Sequence, residues 1–292
     1  MRNAMTVDVE DYFQVQAFAR CIPRAGWDAI PRRVEANTEA ILELFDAAGA
    51  RATFFTLGWI AQRHPALVRR IVAGGHELAS HGWDHTRADA QNPVEFRADV
   101  GRARRLLEDV GGVPVIGYRA ATFSIGARNT WAFAVLESEG YRYSSSVNPI
   151  RHDLYGMPDA PRAPFQPDGG TLWEFPMTTV RAMGRNLPCA GGGYFRLLPY
   201  GLYRLGLNRV NRADRLPGIF YFHPWEVDPG QPRVAGCGLK SRIRHYTNLR
   251  RMRPRLHRLL RDFAWDRMDA IHADLLGAAT EPASRARDVV AA

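Results

Sequence analysis

Two groups of residues could do chemistry in this chain: the histidine pair His81 and His85 in SHGWDH, and the acidic cluster Asp8, Glu10 and Asp11 in DVED. An H-x3-H pair can bring two imidazoles to one ion. Gly82, directly after an apparent strand, favours a loop over a helix as the carrier. The zinc-protease pattern H-E-x-x-H is absent, because Gly82 follows His81. Three carboxylates at one strand end repel one another unless they share a cation or a proton. A metal would draw in one of them, Glu10 or Asp11, and leave a neighbour free as a base. Two histidines and one carboxylate with open positions suit catalytic zinc, or iron, cobalt or manganese.

The elements that must position these residues alternate. Strands are predicted at 4–9, 51–57, 76–80, 115–120, 141–146, 172–177 and 218–224. Helices are predicted at 31–50, 64–75, 92–112, 128–140 and near 199–212, with 147–198 otherwise loop-like and rich in Pro and Gly. The β-then-α order argues for parallel strands joined by right-handed crossovers. One α/β domain over 1–277 is expected, followed by a tail at 278–292. In such folds the carboxyl ends of the strands share one face. The acidic cluster follows the first predicted strand and His81 the third, while Arg119 and His223 end the fourth and the last. Four strand ends thus carry carboxylate, His, Arg and His.

The 292 residues are 46% hydrophobic and 24% charged, as in ordinary globular proteins. The net charge of +9 is local: Lys240–Arg261 holds nine basic residues and no acidic one, and the rest is formally neutral. This segment is expected to form a helical basic surface within about 240–270, interrupted at Pro254. It would pack through Ile243, Leu249, Leu256 and Leu259 and face an anionic partner, a membrane surface or a diphosphate-linked glycan. No recognition motif accompanies the charge, so nucleic acid is not expected. No apolar signal-like stretch or membrane-length apolar run is present. Cys21, Cys189 and Cys237 are odd in number and far apart, which fits a reducing compartment. A cytoplasmic protein, peripheral to the inner membrane at most, is expected. CAGGGYF (189–195) lacks the Gly-Lys-Ser/Thr of a phosphate loop, and G-x-S-x-G does not occur.

In order, TVDVED, SHGWDH, GYRAATFSI and YFHPWEVD resemble the polysaccharide deacetylase family (carbohydrate esterase family 4, NodB homology domain). In more detail they resemble its branch from exopolysaccharide biosynthesis loci. The likeness spans about residues 5–270. It implies a distorted (β/α) barrel of about seven parallel strands that removes acetyl groups from sugars with water activated by a divalent metal, zinc first. Carried over, Asp8 is the base, His81 and His85 bind the metal, Arg119 braces the base and His223 is the general acid. The family's first motif has two adjacent aspartates, whereas here Val9 intervenes. Glu10 is favoured over Asp11 as the carboxylate ligand, because on an extended backbone it points the same way as Asp8. Ala121 replaces the usual proline, and the aspartate expected near Ser144 to tune the acid is absent. Trp83, Phe123 and Trp225 are candidates for stacking on sugar. The implied substrate is an acetylated polysaccharide or a lipid-linked oligosaccharide. The competing readings are hydrolysis of another C–N bond, in a small amide or ureide, and a non-catalytic glycan-binding protein.

Overall fold

The computed structural model describes residues 1–278. The strand β1 (Arg2–Val9) is buried along all but its first residue. It needs cover on both faces, as strands of a parallel sheet do. In chain order follow α1 (Val34–Ala48), β2 (Thr53–Thr56), α2 (Gly58–Arg63), α3 (Pro65–Ala73), β3 (Glu77–Ser80), α4 (Pro93–Gly111), β4 (Gly117–Tyr118), α5 (Trp131–Ser138), β5 (Tyr143–Ser144) and β6 (Trp173–Glu174). The second half holds β7 (Thr179–Ala182), β8 (Arg185–Pro188), α6 (Gly192–Leu197), α7 (Tyr200–Arg209), β9 (Ile219–Phe222), α8 (Leu239–Tyr246), α9 (Met252–Asp262), β10 (Ala264–Asp266), α10 (Met268–Ile271) and α11 (Ala273–Ala278).

Strands β1 to β6 pair in sequence order, all parallel, and β9 pairs with β1. These seven parallel strands curl into a half-barrel. β10 adds to the sheet at the start of β1, Arg2 opposite Ala264. β6 and β9 do not pair with each other; Tyr221 N instead donates to Ala190 O at 3.1 Å across the gap.

Side-chain alternation separates the two faces of this sheet. Phe54, Phe220 and Phe222 join the outer core with Ile41 and Phe45 of α1. Phe55, Ile219 and Tyr221 join the inner one with Ala79 and Tyr143. By the same period of two, Thr6 and Asp8 of β1 share the inner face, and His223 continues the line of Tyr221. The helices close the outside, and their ends are well specified. Asn92 Oδ1 accepts from Val94 N and Glu95 N, and Glu95 returns the bond to Asn92 N at 2.9 Å, a capping box. Gly112, at φ +66°, ends the helix.

Several expectations need correction. The segment 147–198 is not only loop: β7 and β8 form an antiparallel hairpin, and α6 follows. His223 does not end the last strand, because β10 comes later; three residues, AWD, are too few to show a period. Pro254 does not interrupt the basic helix. It sits in the first turn of α9, where its missing N–H has no intrahelical partner to lose. The break comes earlier, at Thr247 and Asn248, with Asn248 at φ +57°. Leu249, Leu256 and Leu259 are buried as expected, whereas Ile243 is exposed.

The cysteine reading also changes. Cys21 and Cys237 are joined in a disulfide, their Cα atoms 5.8 Å apart despite 216 residues of separation, and Cys189 is free and buried. Disulfides belong to oxidising compartments, so the cysteines no longer support a reducing one. Of the expected tail, 279–292 lies outside the described residues. Among the described residues no helix is long and apolar enough to cross a membrane.

Candidate metal and proton-transfer site

The ends of β1, β3, β4 and β9 converge on a pocket of about 150 Å³, walled by Asp8, Glu10, His81, His85, Phe123 and His223 among others. This is below the roughly 300–1,000 Å³ of pockets that enclose a whole small ligand. It admits a small group, with the rest of a larger substrate left outside.

One side of the pocket is a donor set. A ligand atom from each of Glu10, His81 and His85 lies within 4.8 Å of the other two, and all three side chains are buried. His81 follows β3 directly, its N–H bound to Thr56 O at 3.0 Å. Its Nδ1 lies 2.9 Å from the Arg119 carbonyl. A carbonyl only accepts, so Nδ1 carries the hydrogen and the Nε2 lone pair is free for a cation. Burial pushes the His81 pKa down to about 4, which leaves the ring neutral near pH 7. The loop then turns back through two left-handed residues, Gly82 at φ +77° and His85 at φ +61°. Asp99 of α4 holds it by accepting from Trp83 N at 2.6 Å. His85 Nε2 reaches Glu10 Oε2 at 3.0 Å. That contact is close but off the hydrogen-bond direction, so Glu10 Oε2 is buried without a hydrogen-bond donor. Burial would raise the Glu10 pKa, yet the neighbouring imidazoles of His85, His223 and His81 outweigh it and hold it at about 2. An anionic oxygen without a donor beside two imidazoles fits a divalent cation.

The other side handles protons. Asp8 Oδ1 accepts from an Arg119 terminal nitrogen at 2.7 Å. Arg119 is fully buried; the same nitrogen donates to Thr6 Oγ1 at 2.8 Å, Nε donates to Ser145 O at 3.1 Å, and the guanidinium lies 4.0 Å over the Phe55 ring. Asp8 Oδ2 faces His223 Nε2 at 3.9 Å, and Glu10 Oε1 lies 3.5 Å from the same nitrogen. Behind the ring, His223 Nδ1 donates to Glu226 Oε1 at 2.9 Å. Glu226 Oε2 accepts from buried Arg196 Nε at 2.7 Å. Arg196 is fixed in turn by the carbonyls of Arg244, His245 and Thr247. Burial lowers a histidine pKa, but Glu10, the Glu226 bond and charge, and Asp8 overcome it and raise His223 to about 9.

Not every candidate from the sequence reaches the pocket. Asp11 turns away: Oδ1 accepts from Tyr12 N at 2.8 Å, and Oδ2 from Arg33 N at 2.7 Å and Val34 N at 3.0 Å, where it secures the start of α1. Its oxygens are committed to backbone donors, so it is no substitute ligand. Trp83 lies against Gly58 on one side, with the Arg102 guanidinium 3.3 Å from its ring centroid, outside the pocket. Trp225 lines the pocket, but His223 at 5.1 Å and His245 at 4.0 Å stack against its ring. Both tryptophan rings are thus already engaged by neighbouring side chains. Phe123 does wall the pocket, edge-on to Tyr155 and Tyr221.

Other residues here went unread in the sequence. Thr6 and Tyr221 stand two positions before Asp8 and His223, and the strand period puts them on the same face. Glu226, three residues after His223, has the spacing of a capping box. Thr122 and Phe123 have φ of +57° and +50°, rare for residues with a side chain, at the pocket wall. Nothing in the sequence announced that.

Residues 26–144 match the family model described as polysaccharide deacetylase. The likeness to that family is carried by this part of the chain. Residues 145–273 match a domain of unknown function, DUF3473. The pocket is built across both and beyond them: His81, His85 and Arg119 lie in the first match, His223 in the second, and Asp8 and Glu10 precede both. A chitooligosaccharide deacetylase from Azorhizobium caulinodans is 29% identical over 113 residues, 38% of this chain and 53% of its own length. The peptidoglycan-N-acetylglucosamine deacetylase PgdA of Listeria monocytogenes is 31% identical over 75 residues, 26% of this chain and 16% of its own. The chain thus spans about half the length, or less, of these curated relatives. The crystal structure of a protein assigned as a polysaccharide deacetylase from Mycobacterium smegmatis superposes with a TM-score of 0.58 at 18% identity, covering 98% of this chain and 94% of that one. Puue allantoinase superposes equally, at 0.58 and 17% identity, covering 96% and 90%. At such identities the likeness concerns the fold, a curled (β/α) barrel.

Proposed function

We propose that the protein is a metal-dependent hydrolase of carbon–nitrogen bonds that removes acetyl groups from N-acetylated sugars. The reading rests on one juxtaposition: a buried Glu10–His81–His85 donor set beside an Asp8 carboxylate and a His223 imidazole 3.9 Å apart, in a pocket sized for a small group. A divalent cation, zinc first, held by Glu10, His81 and His85 would polarise the acetyl carbonyl and acidify water. Asp8, held in place by the buried Arg119, takes the proton of the attacking water on Oδ2, the oxygen that Arg119 leaves free. His223 gives its Nε2 proton to the departing nitrogen, while Glu226 holds the ring by Nδ1. Water and amide thereby become acetate and amine.

The substrate is an acetylated polysaccharide or its lipid-linked precursor, deacetylated during exopolysaccharide assembly by a protein in peripheral contact with the inner membrane. The expected cytoplasmic side stands against the Cys21–Cys237 disulfide. Thiol counting on protein taken directly from cells tests it, since a bonded Cys21–Cys237 pair there would exclude a reducing compartment.

Asp8→Asn separates the base from the ligands. The variant retains one bound metal per chain and its acetate release falls by about 10²–10⁴, as expected for a deleted general base; His223→Ala behaves likewise. Wild-type turnover in either variant overturns the assignment. Ammonia release from a ureide, with no acetate from any sugar, would shift the reaction to the small-amide class.

A further inference from the structure

We propose that α7 and the β7–β8 hairpin form a membrane-docking face for an anionic lipid bilayer. Six of the eleven exposed large hydrophobic side chains among the described residues fall in this one short stretch: Met183, Leu187, Leu197, Leu198, Leu202 and Leu205. Isolated exposed apolar residues are ordinary, but a concentration of them marks a contact surface. Leu198, Leu202 and Leu205 are spaced four and three apart, on one side of α7 and its lead-in, while Tyr203 and Leu207 of the same helix point into the core. The hairpin lies alongside. A Cβ on Gly206 would stand 3.2 Å from Val180, and Val180 is the cross-strand partner of Leu187, so Leu187 emerges next to the helix. The hairpin ends at Met183, fully exposed at φ +51°.

The charge around this apolar strip has one sign. Between Thr179 and Leu216 the only acidic residue is Asp214, and it is paired with Arg162 at 2.6 Å. Arg181, Arg185, Arg204, Arg209, Arg212 and Arg215 are exposed and make no ion pair among the described residues. An apolar strip flanked by free arginines is the composition of a helix that lies in a lipid headgroup layer. A second copy of the chain would set arginine against arginine, whereas an anionic bilayer complements both the charge and the apolar strip. Arg181, Arg185 and Leu187 also line a groove of about 1,200 Å³ that runs past Arg151 to Tyr194, so the groove borders the same face.

The basic segment Lys240–Arg261 is the weaker candidate for this contact, because five of its nine basic groups are engaged and its apolar residues are mostly turned inward. Lys240 and Arg244 pair with Asp153 at 2.7 and 3.0 Å, and Arg258 and Arg261 lie 3.8 and 3.6 Å from Asp262. Arg255 donates to Leu198 O at 2.8 Å, and the apolar residues Met252, Leu256 and Leu259 face inward.

Co-sedimentation of the full chain with phosphatidylglycerol–phosphatidylcholine vesicles, against phosphatidylcholine alone, tests the proposal without any reference to catalysis. Binding is expected only with the anionic vesicles and weakens as salt is added. It falls by about tenfold or more in Leu202→Asn/Leu205→Asn, and likewise in Arg204→Gln/Arg209→Gln/Arg212→Gln. These positions are exposed, and matched thermal unfolding of each variant checks that the fold is kept. In Arg250→Gln/Arg251→Gln/Arg253→Gln binding stays at the wild-type level. Four results overturn the proposal: no binding of the wild type at low salt, full binding by the leucine variant, loss confined to the 250–253 variant, or a Leu202- and Leu205-dependent dimer by sedimentation in place of vesicle binding.

Discussion

His81, buried, and His223, partly exposed, line one pocket and end up in opposite protonation states. The difference lies behind the ring. His81 turns Nδ1 to a backbone carbonyl, which fixes the tautomer but adds no charge, and burial takes its pKa down to about 4. His223 turns Nδ1 to Glu226, an anion anchored by buried Arg196, and its pKa rises to about 9. In the proposed reaction the first serves as a neutral ligand and the second as a proton donor. The partner at the far nitrogen therefore assigns the role, more than burial or proximity to the pocket does.

The largest effect should come from breaking the ligand half. His81→Ala or Glu10→Ala removes one of three donors and leaves the others in a buried site. Metal analysis after dialysis should show stoichiometry far below one per chain, with acetate release reduced to background. Asp11→Asn should keep full stoichiometry, because Asp11 faces the start of α1.

A smaller effect is expected from the support of the donor half. Glu226→Gln keeps the size of the side chain and removes its charge. It should retain the metal and lower kcat by about 10–100-fold with little change in KM. In the metal-free protein, the His223 titration read by NMR should move down from about 9. An unmoved titration would detach Glu226 from the acid.

The smallest effect is on stability in the metal-free protein. His245, lodged between Trp225 and Phe18, is pushed down to about 3 by burial and by Arg196, Glu226 partly opposing. Below pH 6.5 the unfolded chain takes up a proton at this residue that the folded one refuses, so stability falls as pH drops towards about 3. His223 has the opposite sign: its folded state holds the proton more tightly, and its contribution is lost as pH rises from 6.5 through about 9. Urea unfolding across pH should show both arms. His245→Gln should flatten the acid arm and His223→Gln the alkaline one.

The alternation of strands and helices was legible because short apolar runs alternate with helical stretches that end at glycines such as Gly49, Gly74 and Gly112. Asp8, Glu10, His81, Arg119 and His223 sit at strand ends, where polar residues interrupt apolar runs and stand out. What was not legible depends on pairing across long distances. Glu226 looks like a cap until Arg196, thirty positions away, is seen to anchor it. Trp225 looks like a sugar platform until His245 is found stacked on its ring. Cys21 and Cys237 look unrelated until the fold brings the loop after β1 up to the lead-in of α8. Asp11 stands next to Glu10 in sequence, but the chain has already left the extended conformation there, and the carboxylate turns to α1.

The central claim is that Glu10, His81 and His85 hold a cation that the Asp8–His223 pair needs for deacetylation. Acetate release from an N-acetylated oligosaccharide, measured on chelator-stripped protein before and after one equivalent of zinc, tests it most directly. The account predicts no release from the stripped protein and restored turnover after zinc in the wild type, with no restoration in His81→Ala. Equal acetate release with and without metal would contradict it.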